Sequence, residues 1–341
     1  MLIINRPDDW HVHFRDGDIL EHTVPATASH FARALVMPNL IPALTSVKAL
    51  HEYRKRILAA ANNSRFVPYM TCYLNESVLP EELAAIAKDP YILGGKLYPA
   101  GATTHSDEGV KSLKTLYPLF EIMQQEDLVL QIHGEVTHGD IFARESRFIE
   151  EHLKPLSLHF PRLRIVLEHI SSKAAVEFVT QASPKIAATI TPHHLLFNRN
   201  QLLAGGIRPH YYCLPILKQA RDQKALQQAV ASGNPKFFAG TDSAPHPKTM
   251  KEAACGCAGI YSAPYALAFY AQLFEQIDQL HRLNYFMSYY GALFYQLPPN
   301  KDCIELIKKP NPVPLSLSLG AHEVVPMAAG ETLPWSVNEH Q

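Results

Sequence analysis

The chain has 341 residues, of which 47% are apolar and 18% charged. That length suits one large barrel domain or two small ones, and the apolar share excludes a disordered chain. Gly (16) and Pro (26) exclude collagen-like and low-complexity sequences, and Lys+Arg 31 against Asp+Glu 32 leaves no electrostatic footprint for nucleic acid or an anionic membrane. One count stands out, 18 histidines. Histidine is the commonest metal ligand.

The first residues carry Asp8 and Asp9 and no apolar run before a small-residue cleavage site, so no secretory leader is expected. Eight short apolar runs follow, at 9–14, 34–37, 66–73, 92–98, 128–133, 164–169, 186–191 and 236–240. Helical patterns alternate with them. Ser46 is placed to cap a helix in which Val47, Leu50, Tyr53, Ile57, Leu58 and Ala61 share a face. Pro80 suits a helix start. Leu113, Leu116, Phe120 and Met123 repeat at helical spacing, and Ser171 or Ser172 can cap the pattern Ala175, Val176, Phe178, Val179. Leu217, Ala220, Ala225, Leu226 and Val230 form another pattern after a loop. Strand-then-helix units in this number predict a (β/α)8 TIM barrel with right-handed crossovers. The expected organisation is one barrel domain over 1–341 with a C-terminal extension from about Asp302. The apolar stretch 261–274 is broken by Ser262, Pro264 and Gln272 and is too short to span a bilayer. There Leu267, Tyr270 and Phe274 fit a packed helix. Cysteines at 72, 213, 255, 257 and 303 include no CxxC pair and read as reduced thiols of a cytoplasmic protein, with Cys255-Gly-Cys257 as a metal or redox pair the alternative.

A barrel of this kind carries its chemistry at the carboxyl ends of its strands. The first run ends Trp10-His11-Val12-His13-Phe14-Arg15. Alternation puts His11 and His13 on one side and Val12 on the other, which suits chelation of a borderline cation such as Zn²⁺. Other ends carry Asn39, Lys96, His133, Glu168-His169, and Asp242 followed by His246. A lone histidine there is usually a hydrogen-bonded core or surface residue. Four histidines, a lysine and an aspartate at different strand ends point instead to a metal site. His193 and His194 after the seventh run resemble a further pair, but neighbours on an extended strand face opposite sides, so they are set aside.

Lys96 follows Gly94 and Gly95, which let the backbone approach closely and leave room around the side chain. An ammonium group has no lone pair for a metal. It would serve either as a Schiff-base lysine or, after reaction with CO₂, as a carbamate whose two oxygens can bridge two ions. The carbamate accounts for the accompanying histidines and aspartate, which a Schiff-base enzyme does not need. A lysine snorkelling from the barrel mouth accounts for none of them.

With these ligand positions the chain resembles the binuclear amidohydrolase superfamily. The strings DDWHVHFRDG, MPNL, GGKLYPAGATT, QIHGE, LEHI, TPHHL, CLPILK, GTDSAPH and CGCAG, in order from residue 8 to residue 259, sharpen the resemblance to its dihydroorotase family, homodimeric bacterial type. The resemblance implies two divalent ions per chain, Zn²⁺ foremost. One would be held by His11, His13 and Asp242 and the other by His133 and His169, with N6-carboxylated Lys96 and a hydroxide bridging both. It also implies that Arg15, Asn39 and His246 meet a substrate carboxylate. Backbone groups of Leu214 and Ala258 would hold the ring, and Thr103 and Thr104 belong to a mobile loop that closes over the site. Asp242 would shuttle the proton as L-dihydroorotate and N-carbamoyl-L-aspartate interconvert in de novo pyrimidine synthesis. The implied partners are this small molecule and a second copy of the chain, without nucleic acid or membrane.

Other cyclic-amide hydrolases, such as hydantoinases and allantoinases, share the metal ligands. Arg15, GATTHS and CLPILK favour a substrate that bears a carboxylate. A metal-free barrel acting as a scaffold subunit would be expected to lack ligands that are present here. A Schiff-base lyase acting through Lys96 is the third alternative.

Overall fold

The computed structural model describes residues 1–62 and 65–338. A short strand β1 (Leu2–Asn5) precedes the eight parallel strands β2 (Asp8–Val12), β3 (Arg33–Val36), β4 (Val67–Leu74), β5 (Ile92–Leu97), β6 (Val129–Ile132), β7 (Ile165–Leu167), β8 (Ile186–Ile190) and β9 (Phe237–Ala239). They pair in sequence order from β2 to β9. The ring closes at its upper rim through a parallel bridge between Val12 and Ser243. There His13 N–H donates to Ser243 O at 3.0 Å and Asp242 N–H donates to His11 O at 2.8 Å. Each expected apolar run is therefore a strand of a TIM barrel, with ends shifted by at most two residues.

The helices between strands start where the sequence places caps. The Ser46 side chain accepts from Ala49 N–H at the start of Val47–Ala60, and Ser172 accepts from Ala175 N–H at the start of Lys173–Gln181. Pro80 opens Pro80–Ile86. Leu217 is buried but lies before the helix Ala220–Ser232, in the irregular segment that leads to it. Helix Ala266–Gln276 is apolar nearly all round, and all of its residues through Phe274 are buried except Gln272.

Side chains on the strands sort into two layers. Ala34, Val36, Leu130, Ile132, Ile165, Leu167 and Ile190 face the helices. Trp10, Leu35, Met37, Val129, Val166, Ala187 and Phe238 fill the barrel. Each such buried side chain contributes about 1.5–3 kcal/mol relative to exposure. Trp10 stacks on Tyr295 with ring centroids 4.6 Å apart, closing the amino end of the barrel, and Gln131 Nε2 donates to Tyr295 OH at 3.1 Å.

The segments that carried no strand signal in the sequence form a separate sheet. In it β10 (Cys303–Pro312) runs between β1 and β13 (Thr332–Val337), antiparallel to both. Strands β11 (Leu317–Leu319) and β12 (His322–Val324) make a hairpin. Trp335 of β13 donates from Nε1 to Glu275 Oε2 at 3.1 Å, fastening the sheet to Ala266–Gln276. None of the helices among the described residues is long and apolar enough to cross a membrane.

At the amino end of the barrel, Arg33 donates from Nε to Asp8 Oδ1 at 2.7 Å and from Nη2 to Oδ2 at 2.5 Å. Asn300 Nδ2 also donates to Asp8 Oδ1, at 2.7 Å, so the pair ties the floor to the C-terminal segment. Removing one member of a buried ion pair strands the other charge. Arg33→Met is expected to destabilise the protein by about 3–5 kcal/mol. Thermal unfolding checks this, and an unchanged melting temperature would contradict it.

Candidate active site

The register of β2 against β3 slips between Asp9 and Val12, inserting one residue into the first barrel strand. With that bulge Trp10 joins the apolar filling of the barrel while His11 also reaches the axis, where Nδ1 donates to Glu168 Oε2 at 2.8 Å. Val12 faces the helices and His13 faces the axis again. His11 Nε2 and His13 Nε2 lie 3.3 Å apart. Asp242 Oδ1 is 3.5 Å from the first and 3.2 Å from the second. The seam between β2 and β9 brings these three together, and they form a buried group able to hold a cation.

Opposite them, His133 Nδ1 and His169 Nε2 are 3.3 Å apart. The His169 ring centroid is 4.9 Å from that of His11 and 4.8 Å from that of His133, so the two histidine pairs share one chamber. Burial first, and then Lys96 among the neighbouring cationic groups, holds His11, His13 and His169 well below the ordinary imidazole range. Neutral imidazoles are the form that binds metal.

Lys96 enters the same chamber from β5. A Cβ at Gly94 would lie 2.4 Å from Val129 O, so only glycine allows β5 and β6 to approach this closely. Lys96 is fully buried, and its Nζ has no hydrogen-bond partner among the described residues. Burial pushes it down to about 8, against the pull of Glu168 and Asp242.

Three carboxylates that the sequence reading did not assign set the histidines. Glu168 Oε2 accepts from His11 Nδ1 and from Thr189 Oγ1 at 2.5 Å. Glu135 Oε2 is 3.1 Å from His133 Nε2. Asp9 accepts from His11 N–H at 3.2 Å, Thr241 N–H at 2.8 Å and Thr241 Oγ1 at 2.6 Å. With Nδ1–H of His11 and Nε2–H of His133 given to carboxylates, the lone pairs of their other nitrogens face the chamber. Burial raises Asp9, Glu168 and Asp242 each to about 7.

The expected substrate contacts other than His246 surround a small cavity above this centre, and His246 stands outside its lining. Arg15, Asn39, Thr103, Thr104, Leu214, Ala258 and Asp242 all line it. Arg15 donates from Nε to Pro245 O at 3.2 Å, and its Nη2 lies 2.9 Å from His246 Nε2. No carboxylate stands within ion-pair distance of Arg15 among the described residues. His246 Nε2 is also 3.0 Å from Ala258 O, so one nitrogen faces a donor and an acceptor and can satisfy one at a time. Thr104 lies across the cavity. Its carbonyl accepts from Asn39 Nδ2 at 3.0 Å and its hydroxyl donates to Ala258 O at 3.3 Å.

The reason for setting aside His193 and His194 needs correction. They are not on a strand: Pro192–Leu196 is a one-turn helix capped by Thr191, and both rings lie near the buried Cys213 thiol. His194 Nε2 and Cys213 Sγ both donate to Pro215 O, at 2.8 and 3.3 Å, which gives those two side chains a structural use, whereas neither ring nitrogen of His193 has a hydrogen-bond partner among the described residues.

A sequence profile of the amidohydrolase family matches residues 3–333. The chain belongs to that family, and it is a hydrolase. A dihydroorotase of Nitrosococcus oceani is 55% identical over 341 residues, covering 99% of each chain. The crystal structure of a Campylobacter jejuni dihydroorotase superposes with a TM-score of 0.92 at 36% identity, covering 99% of this chain and 97% of that one. The Saccharomyces cerevisiae dihydroorotase, solved in complex with 5-fluoroorotic acid, superposes with a TM-score of 0.91 at 35% identity over 99% of each chain.

Glu168→Gln keeps the shape of the side chain but weakens its grip on His11 Nδ1–H. It is expected to lower divalent-metal affinity by about 10–100-fold. Competition against a chelator measures this, and parental affinity would rule out the orienting role.

Proposed function

We propose that the chain catalyses the reversible hydrolysis of L-dihydroorotate to N-carbamoyl-L-aspartate, a step of de novo pyrimidine synthesis, with two divalent ions, Zn²⁺ foremost, and a carboxylated Lys96. The observation that carries this reading is the Lys96 amine. It is fully buried, without a hydrogen-bond partner among the described residues, in a chamber shared with His11, His13, His133 and His169. A buried ammonium with no acceptor is costly. Attack of the neutral amine on CO₂, with loss of one proton, replaces that cation by an anion with two oxygen donors. His11, His13 and Asp242 would hold one ion, His133 and His169 the other, and the Lys96 carbamate both. Bound there, two divalent ions supply Lewis acidity at the scissile carbonyl and lower the pKa of the attacking water.

The remaining work falls to side chains around the cavity. Arg15, free of any carboxylate partner among the described residues, offers a planar fork to the substrate carboxylate, with Asn39 and His246 beside it. Backbone groups of Leu214 and Ala258 would hold the ring, while Thr103 and Thr104 cover it. Asp242 is the one carboxylate among the described residues that line the cavity. It takes the proton of the attacking water and returns it to the departing ring nitrogen. The carboxylate contacts favour dihydroorotate over hydantoin and allantoin, which lack that group. By the resemblance, the working form is a cytoplasmic homodimer.

Metal analysis together with dihydroorotate turnover, on the parent and on Lys96→Ala, tests the proposal. The parent is expected to carry about two ions per chain and the variant to lose metal and activity together. A fully active Lys96→Ala protein would overturn the binuclear reading, and faster turnover of hydantoin or allantoin would overturn the substrate.

Ring opening creates a carboxylate and releases a proton. The ratio of open to closed product at equilibrium should therefore rise about tenfold per pH unit above the carboxylate range. Chromatographic measurement of both species across pH 6–9 would show it, and a ratio independent of pH would exclude this reaction.

A further inference from the structure

Lys251 is nearly inaccessible, at 3% exposure, yet it belongs neither to the metal-type centre nor to the cavity lining. It sits at the end of a one-turn helix, Lys248–Lys251, that begins directly after His246-Pro247. Its Nζ donates to three backbone carbonyls: Tyr212 O at 2.7 Å, Cys257 O at 2.8 Å and Gly259 O at 2.7 Å. An ammonium group has three N–H donors, and all three are used. These carbonyls come from two separate segments, and the same two segments carry the cavity residues Leu214 and Ala258. Gly259 N–H adds a direct link to Tyr212 O at 3.0 Å, and Cys257 N–H reaches Met250 O at 3.3 Å.

The 257–259 segment has little room to settle elsewhere. Gly259 takes φ +151, and a Cβ there would lie 2.5 Å from Ala244 O and 3.0 Å from His246 Cδ2. The strand-end loop that carries Asp242 and His246 thus presses on this segment from one side while Lys251 holds it from the other. Burial lowers the Lys251 amine to about 8, so its charge is held at an electrostatic cost that the three carbonyls offset.

We infer that Lys251 is a positioning residue that ties segments 212–214 and 257–259 into one wall and so sets where the backbone groups holding the substrate ring stand. The inference rests on the dihydroorotate reading of the cavity. Losing the tie removes binding that ground and transition states share, which raises KM and leaves kcat in place.

The test uses metal-loaded full-length enzyme, with Lys251→Met removing the donors at similar length. Metal content should stay at the parental level. KM for dihydroorotate should rise about tenfold or more, the scale of one or two lost charged hydrogen bonds, with kcat within about threefold. The inhibition constant of orotate, a planar ring bearing the same carboxylate, should rise by a similar factor. A folded, metal-loaded variant with parental KM and parental orotate inhibition would overturn the inference, as would a fall in kcat at unchanged KM. If Lys251→Met does not fold, Lys251→Arg decides. Its guanidinium keeps charge and donors but displaces them, so KM should rise at parental kcat, and a parental KM would overturn the inference. Failure of the underlying reading looks different, because the parent itself would then not turn over dihydroorotate.

Discussion

The seam between β2 and β9 is the constraint on which the site depends. Two backbone hydrogen bonds, Asp242 N–H to His11 O and His13 N–H to Ser243 O, close the barrel at the level of the candidate ligands. The same contacts bring a histidine pair near one end of the chain against an aspartate far along it. Asp9 reinforces the seam from below through Thr241 and the His11 amide. The bulge in β2 then decides what the seam presents. Without the inserted residue, Trp10 and His11 could not both turn toward the axis.

Above the seam the chamber gathers charge that its own residues only partly balance. Lys96 and Arg15 bring two cationic groups, and the carboxylates Glu168 and Asp242, with Asp9 beneath them, are each raised by burial. Imidazoles kept neutral between them are donors waiting for a Lewis acid. The apolar filling beneath, from Trp10 and Tyr295 up to Val129 and Val166, shuts water out of the amino end. Substrate and solvent are left the carboxyl end, where Arg15 and Thr104 stand.

Much of this was legible in the sequence. Parallel strands buried on both faces read as continuous apolar runs, so all the barrel strands could be located. Two-residue periodicity singled out His11 and His13, strand-end position singled out Lys96, His133, His169 and Asp242, and the fold gathers them in one chamber. The outer sheet was not legible. In β10 the run Lys308-Lys309-Pro310-Asn311-Pro312 breaks both alternation and apolarity, and its partners are tertiary. The β2 bulge was hidden for the same reason, since pairing with β3 creates it. His193 and His194 were misread although a signal was present: Thr191-Pro192 is a helix start, with a capping hydroxyl followed by proline at the first helical position. The orienting carboxylates had a signal too, because Asp9, Glu135 and Glu168 each lie within two residues of a candidate ligand histidine. Their part is to hold an imidazole or its amide in place, an arrangement that only the folded chain displays.

The joining of chain ends at the barrel seam also bears on the order in which the molecule is made. A ribosome delivers His11 and His13 at the outset and Asp242 only after all eight barrel strands have emerged. Until then His11 and His13 lack both Asp242 and β9 to lie against. The outer sheet repeats this arrangement, since β1 waits for β10 and β10 for β13. The complete candidate cation site is thus a property of the barrel with β9 in place, and a fragment ending short of β9 retains the histidine pair without the aspartate beside it.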